Sequence, residues 1–324
     1  MPDSDVVAVE KAHNGVLLLK PRSLWSDAWR SMLRNRAAIF GLCIVVFLVF
    51  IAIVGPLIAP QDPYKQDLDN LKAPPSLQHF FGTDQLGRDF FSRILAGART
   101  ALFVGATVTF LSVTVGILLG SAAAFFGGVT DQMISRLLDL AQAFPKLLLA
   151  SFVNAMAKSP FQSALAWSAA IVGVKTLTDT IMVDYAVVLS ALALTLWTGY
   201  ARLVRGQILS LREVDFVVSS RATGASPWHI ILRHLIPNSL GPIIIAATVG
   251  FGEAMLLESS LSYLGIGIQP PGASWGQMIS ESLDQWRYAP HLVAVPGIVL
   301  AIAVLGFNLL GDGLNDALDP HRRR

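Results

Sequence analysis

Charge-free apolar runs of about twenty residues recur along this 324-residue chain, separated by polar, turn-rich segments. Each run is long enough to cross a hydrocarbon core of about 30 Å as a helix. Lipid offers backbone N–H and C=O groups no hydrogen bonds, so a crossing segment is a helix or part of a closed barrel. The runs lack the alternation of barrel strands. The pattern predicts an all-α integral membrane protein with six transmembrane helices.

The first span covers 37–59, with Pro56 and Pro60 at its exit. Residues 60–99 are polar and form an external loop. The second span, 100–126, stops at Gly127-Gly128, a helix-ending signal. An inner helix starts near Thr130-Asp131 and runs into a third span at 138–157, with Pro145 kinking or breaking the path. Residues 158–184 contain an apolar piece too short for a crossing and are expected to form an external insertion with an interfacial or re-entrant helix. The remaining spans are 185–200, 240–263 and 291–310. The organisation expected is a tail at 1–36, a first helix with its loop at 37–99, and a five-helix unit at 100–324. That unit carries a long cytoplasmic segment at 201–239.

Six crossings place both termini in the cytoplasm. Segments then assigned inside hold 15 Lys and Arg, and those assigned outside hold 8, with Lys146 inside a span. The bias has the sign of the positive-inside rule. Five of the outer eight crowd into 60–99, including Arg88, Arg93 and Arg99, against the rule's expectation. Composition agrees with the class, at 53% hydrophobic and 14% charged, where a soluble domain carries about 25% charged residues. A net charge of +2 gives no ground for a nucleic-acid partner. The single cysteine, Cys43, lies in the first apolar run and supports neither an internal disulfide nor a zinc site. No cleavable signal peptide is expected, because residues 1–36 are polar.

The segment 201–239 carries the most local structure. Residues 212–223 read as a short helix with Gly224 just past its end. Ser226 and Pro227 then give an N-cap and a first-turn proline. Trp228, Ile231, Leu232, Leu235 and Ile236 share one face of the next helix, His229 and Arg233 a more polar one, and Pro237 is expected to end it. Helix, glycine corner, helix between two spans is either an amphipathic connector on the bilayer or a knob that docks into a groove on a soluble partner.

No nucleotide site is legible. Gly173-Val-Lys-Thr176 lacks the spacing of a phosphate-cradling loop. The six histidines show no metal-ligand spacing. No catalytic or metal residues are expected, so energy for any transport comes from a partner or from an ion gradient. Glu253 and Glu258 fall inside the fifth span, where a charge at the membrane centre costs about 3 kcal/mol on insertion scales. Either they lie near a helix end or pair with a partner, or they line a substrate pathway. Trp275, Trp286 and Tyr288 read as interfacial anchors. Arg202 and Arg205, at the inner end of the fourth span, either meet a partner or obey the positive-inside rule.

With these residues in view, the chain resembles the inner-membrane permeases of binding-protein-dependent ABC importers, in the dipeptide/oligopeptide group. Residues 201–239, from Ala201-Arg-Leu-Val-Arg205-Gly through Ile236-Pro237-Asn238, are similar to that family's ATPase-coupling loop. Four further stretches agree in order along nearly the whole chain after Ala37. They are Phe81-Gly-Thr-Asp-Gln-Leu-Gly-Arg88-Asp89 with Gly97-Ala-Arg99; Gly127-Gly128 and Asp131 to Ala143-Phe-Pro145; Leu261-Ser-Tyr-Leu-Gly265 to Gln269-Pro-Pro271 and Ser274-Trp-Gly276; and Phe307-Asn-Leu-Leu-Gly-Asp312 to Asp316-Ala-Leu-Asp-Pro320. Where the family has Glu-Ala-Ala, this chain has Val218-Ser219-Ser220.

The resemblance implies a type I ABC importer permease (MetI-like) fold in the bacterial cytoplasmic membrane. It implies a second homologous permease, two ABC ATPase subunits and an extracytoplasmic solute-binding protein as partners, with ATP and Mg on the ATPases and no cofactor on this chain. The solute would be a dipeptide, oligopeptide, nickel or an oligosaccharide, moved by alternating access. The coupling set it implies is Arg202, Arg205, Asp215, Val218, Ser219, Ser220, Arg221, Gly224, Trp228, Ile231 and Pro237. Of the two pathway candidates, Glu258 matches a glutamate common in the family and Glu253 does not, so Glu253 stands on its place inside the span alone. The alternative is an ion-gradient-driven secondary transporter, which would show discontinuous midplane helices and an inverted repeat.

Overall fold

Asn35 starts the first helix by accepting hydrogen bonds from the Ala37 and Ala38 backbone N–H groups at 3.0 and 3.3 Å. The computed structural model describes residues 31–172 and 180–318. In chain order its helices are α1 (Arg36–Ile58), α2 (Phe90–Phe126), α3 (Gly128–Gln142), α4 (Lys146–Val172), α5 (Thr180–Leu211), α6 (Asp215–Ala222), α7 (Pro227–Ile230), α8 (Ile236–Tyr263), α9 (Trp275–Ser282) and α10 (His291–Leu318). Among the described residues there is no β-strand, only an isolated bridge between Thr83 and Asp89. Five helical stretches are long and apolar enough to cross a membrane, and six if α3 and α4 form one bent span.

Close backbone approach holds the bundle together. A methyl group on Gly116 or Gly120 of α2 would lie 2.5 Å from Tyr200 Cβ or Ala201 O of α5. Gly41 of α1 and Gly306 and Gly313 of α10 mesh in the same way, with Ala38 against Gly313. Small residues at helix crossings are the usual route to association where lipid supplies no hydrophobic drive between helices. Asn35 Nδ2 donates to Asp316 Oδ2 at 3.2 Å, tying the start of α1 to the end of α10. On its other side α1 leaves Phe47, Phe50, Ile53 and Leu57 exposed, as suits a lipid-facing helix.

Several boundaries differ from the sequence expectation, each for a physical reason. Helix α2 starts at Phe90 rather than residue 100, because Asp89 caps it by accepting from Ser92 N at 2.8 Å. Arg93 and Arg99 therefore belong to the helix, not to the loop. Pro56 sits inside the last turn of α1. Leu138 lies in α3, and the stretch expected as the third span is a bent pair, α3 and α4, that meet at 96° over residues 143–145. The expected separate helix in 158–184 is instead the continuation of α4 to Val172 and the start of α5 at Thr180, with Lys158 Nζ 2.8 Å from Asp184 Oδ1 between them. Residues 173–179, the tail before residue 31 and Arg322–Arg324 lie outside the described residues.

Pro237 does not end its helix. Helices α7 and α8 run on as one 37-residue path, Pro227–Tyr263, through a π-helical turn at Ile231–Leu235. A proline removes one ladder hydrogen bond and crowds the carbonyl four residues back. Widening the turn, so that Ile236 N bonds Ile231 O, relieves that crowding. Side chains cover carbonyls in the same region, with Asn238 Nδ2 donating to His234 O at 2.6 Å and Ser239 Oγ to Leu235 O at 2.9 Å.

Candidate functional site

Two places hold most of the sequence-predicted residues: an elbow between α5 and α8, and a cavity among the long helices. The elbow begins where α5 ends. Arg212 Nη1 donates to Ala124 O at the foot of α2 at 3.1 Å, fixing the exit. Helix α6 closes on Gly224, whose φ of +83° puts it in the left-handed region that favours glycine. Gly224 N donates to Arg221 O and Ala225 N to Ser220 O, the paired bonds of a Schellman ending. Ser226 Oγ accepts from His229 N at 3.3 Å and starts α7, as its sequence position predicts.

Burial divides the elbow's apolar residues into two groups. Val217, Ile230, Ile231 and Leu235 join Ala124, Val204 and Ile208 in a closed cluster. Ile231, expected on the docking face, is thus part of the core. Val218, Trp228 and Leu232 remain exposed, Trp228 at 56%. The Trp228 ring meets Phe126 edge-on at 6.3 Å, and the Arg221 guanidinium lies over Phe125 at 5.5 Å. Trp228, His229, Leu232, Arg233 and Pro237 line an open groove of about 590 Å³. Asp215 occupies the first turn of α6, where a carboxylate suits the helix dipole. Ser219 is exposed and Ser220 half-buried.

Arg202 and Arg205 lie outside this surface. Arg205 makes a two-pronged pair with Asp131 at 2.5 and 2.7 Å, and Arg202 reaches Asp139 at 3.0 Å. Both therefore brace α3 against α5. Asp131 and Asp139 are eight residues apart on one face of α3, whereas Arg202 and Arg205 are three apart on α5. The two spacings differ, so nothing in the sequence of either helix names its partner.

The cavity, of about 690 Å³, lies between the α3–α4 bend, α5 and α8. Glu253 lines it, and Lys146 Nζ donates to Glu253 Oε1 at 2.5 Å. Tyr200, Thr195, Thr198 and Gln142 supply further polar groups. Glu258 does not reach it. That carboxylate is 1% exposed and accepts from Ser262 Oγ at 2.8 Å and Ser259 Oγ at 3.3 Å. Ser262 Oγ in turn accepts from Ile268 N at 3.1 Å, so Glu258 orders the turn beyond α8. Of the two glutamates expected along a pathway, Glu253 alone lines this cavity. Lys146 was left aside by sequence reasoning, although a single lysine directly after Pro145 in an apolar run was a usable signal.

The end of the bundle opposite the elbow, which the sequence reading places outside, holds a third assembly. Arg88 Nε donates to Asp84 Oδ2 at 2.6 Å and Arg88 Nη2 to Glu281 Oε2 at 2.9 Å. Arg93, fully buried, lies 3.5 Å from Asp84 Oδ2 and 3.9 Å from Glu281 Oε2. This explains the cations that crowded the outside: two of the five are buried and neutralised by carboxylates. Trp275 is buried too, donating from Nε1 to Ile94 O at 3.1 Å, which corrects its reading as an interfacial anchor. Trp286 and Tyr288 are exposed.

Comparison with known proteins matches residues 112–324 to a family described as the inner membrane component of binding-protein-dependent transport systems. Residues 23–75 match the N-terminal transmembrane domain of oligopeptide transport permease C. The chain is 39% identical over 298 residues to the dipeptide transport system permease protein DppC of Alkalihalophilus pseudofirmus, covering 92% of this chain and 90% of that protein. It is 35% identical to the oligopeptide transport system permease protein OppC of Bacillus subtilis, covering 94% and 92%. It is 39% identical to the glutathione transport system permease protein GsiD of Escherichia coli O6:K15:H31, covering 96% of each.

Proposed function

The chain belongs to the inner membrane components of binding-protein-dependent transport systems, and from that premise we propose that it forms one half of the pathway of an ATP-driven importer for peptides. Dipeptides, oligopeptides and glutathione, the solutes in the names of its relatives, share a free ammonium and a free carboxylate. In this reading a second, homologous permease completes the pathway and an external solute-binding protein delivers the solute. Two ATPase subunits beneath the elbow bind ATP and Mg, and this chain hydrolyses nothing itself. Both termini are cytoplasmic, with the external lobe around Arg88 on the opposite side.

The observation that carries the reading is the elbow's division between core and surface. Ile230, Ile231 and Leu235 anchor it rigidly to the feet of α2 and α5, while Trp228 and Leu232 remain beside an open groove. An aromatic and a leucine on a rigid, protruding corner are what helix-in-groove docking uses. Because α7 continues into α8 without a break, a push on the elbow is delivered along the helix that carries Glu253. Closure of the ATPases on ATP would thus tilt a cavity-lining span, the physical requirement of alternating access.

The test is a tagged pull-down from mild-detergent membranes with every co-purifying protein identified. Recovery of a second permease, ATPase subunits and a solute-binding protein supports the importer. Recovery of this chain alone, as a stable and monodisperse species, rejects it and favours a gradient-driven transporter.

A further inference from the structure

Two glutamates on one helix have opposite surroundings, and the difference points to a solute station. Glu258 is sealed among serine hydroxyls within its own chain. Glu253, five residues earlier, opens onto the 690 Å³ cavity with its side chain 40% exposed, and its partner Lys146 is 56% exposed. Helix α8 ends at Tyr263, ten residues on, which places Glu253 about 15 Å along the helix from that end, well inside a span that crosses a core of about 30 Å. A lysine and a glutamate at that depth are rare, and where found they face a bundle interior or a water-filled cavity.

We propose that Lys146 and Glu253 are an exchangeable ion pair that receives a zwitterionic solute. The solute's ammonium takes Glu253, its carboxylate takes Lys146, and the two side chains rejoin when it leaves. Every charge has a partner before, during and after passage. The long, flexible lysine stem lets Nζ follow the carboxylate while Glu253 stays on its helix. The third charged side chain at the cavity wall, Arg202, lies 3.0 Å from Asp139, which leaves Lys146 as the cation paired with Glu253. Tyr200, Thr195 and Thr198 offer neutral groups to the solute's amides. A bare metal cation would leave Lys146 unpaired, and an uncharged oligosaccharide would part the two charges with nothing in return. The station therefore selects peptides and related zwitterions among the solutes this kind of permease could carry.

The inference rests on the importer reading and is tested in the complete complex, reconstituted in liposomes with its binding protein and ATP. Uptake of labelled trialanine and alanyl-alanine at saturating binding protein is the readout, beside the complex's yield and thermal midpoint. The neutral pair K146Q/E253Q keeps a hydrogen bond between α4 and α8 but removes both charges. The expected result is a normal complex with uptake lowered at least about tenfold. Normal uptake by that variant overturns the station and reduces the pair to a tie. Should K146Q/E253Q fail to assemble, the swap K146E/E253K keeps the attraction with reversed polarity. Restored assembly with lost uptake supports exchange, and restored uptake overturns it. If the wild-type complex moves neither peptide, the peptide reading itself fails, an outcome separate from either variant's behaviour.

Discussion

The two ends of this protein are built on different principles. At the end that carries the Arg88 lobe, Arg88, Arg93, Asp84 and Trp275 are buried, and Arg88 and Trp275 find hydrogen-bond partners within this chain. At the cytoplasmic end, Trp228 and Leu232 are exposed, and the ion pairs of Arg202 and Arg205 are open to water. The external lobe is finished within the subunit. The elbow is rigid where it meets the bundle and unfinished where it faces outward. A part that only needs to hold its shape can bury its charges, whereas a part that engages a changing partner must leave its contacts available.

The largest effect should come from breaking the external network. Replacing Arg88 by Met leaves the buried Asp84 and the half-buried Glu281 without their closest cation, a loss of about 3 kcal/mol. Thermal unfolding of the detergent-purified chain should show a large drop. R93M should cost clearly less, because Arg93 makes no direct hydrogen bond and its carboxylates lie at 3.5 and 3.9 Å. If R93M proves as damaging as R88M, the lobe is held by packing rather than by these particular pairs.

Glycines sharpen the contrast at intermediate size. A methyl on Gly276, at the external end, would fall 1.8 Å from Ser259 O, so α9 and α8 must part; Gly276→Ala should destabilise by about 1–3 kcal/mol. A methyl on Gly224, at the elbow, meets nothing within 4 Å. Only its φ of +83° resists, and Gly224→Ala should cost about 1–2 kcal/mol. Thermal midpoints of the two variants compare collision with backbone strain directly.

How much of this was readable in the chain depended on how local the interaction is. The elbow was legible because its signals, Gly224, Ser226 and Pro227, act within a few residues. The apolar runs gave the class for the same reason. The start of α2 was hidden because Arg93 and Arg99 look like loop residues until Asp84 and Glu281 are seen to neutralise Arg93. The passage of the helix through Pro237 depended on a π-turn that no residue type announces. Lys146 and Glu253 are 107 residues apart in the chain, and nothing in either neighbourhood names the other.

Surface substitutions on the elbow should separate stability from coupling. Trp228→Ala and Leu232→Ser remove exposed side chains, so stability should change by no more than about 0.5 kcal/mol. Their effect belongs to docking, where losing a central aromatic anchor costs about 2 kcal/mol or more. Solute-stimulated ATP hydrolysis by the assembled complex should therefore fall while the thermal midpoint of this chain stays put. A fall in both would mean that the exposed face supports the fold after all.

The smallest effect concerns the brace between α3 and α5. Arg205 and Asp131 are partly shielded and meet through two hydrogen bonds, whereas Arg202 and Asp139 are more exposed and meet through one. Exposed ion pairs contribute about 0–1 kcal/mol. A double-mutant cycle on R205A and D131A should read near the top of that range, and the cycle on R202A and D139A near zero. Raising the salt concentration should shrink the first coupling, since both groups remain accessible to screening ions. A coupling of several kcal/mol in the first cycle, insensitive to salt, would show that the cytoplasmic end also buries its charges in the working protein. The brace would then resemble the Arg88 network, and the contrast between the two ends would be confined to the exposed face around Trp228.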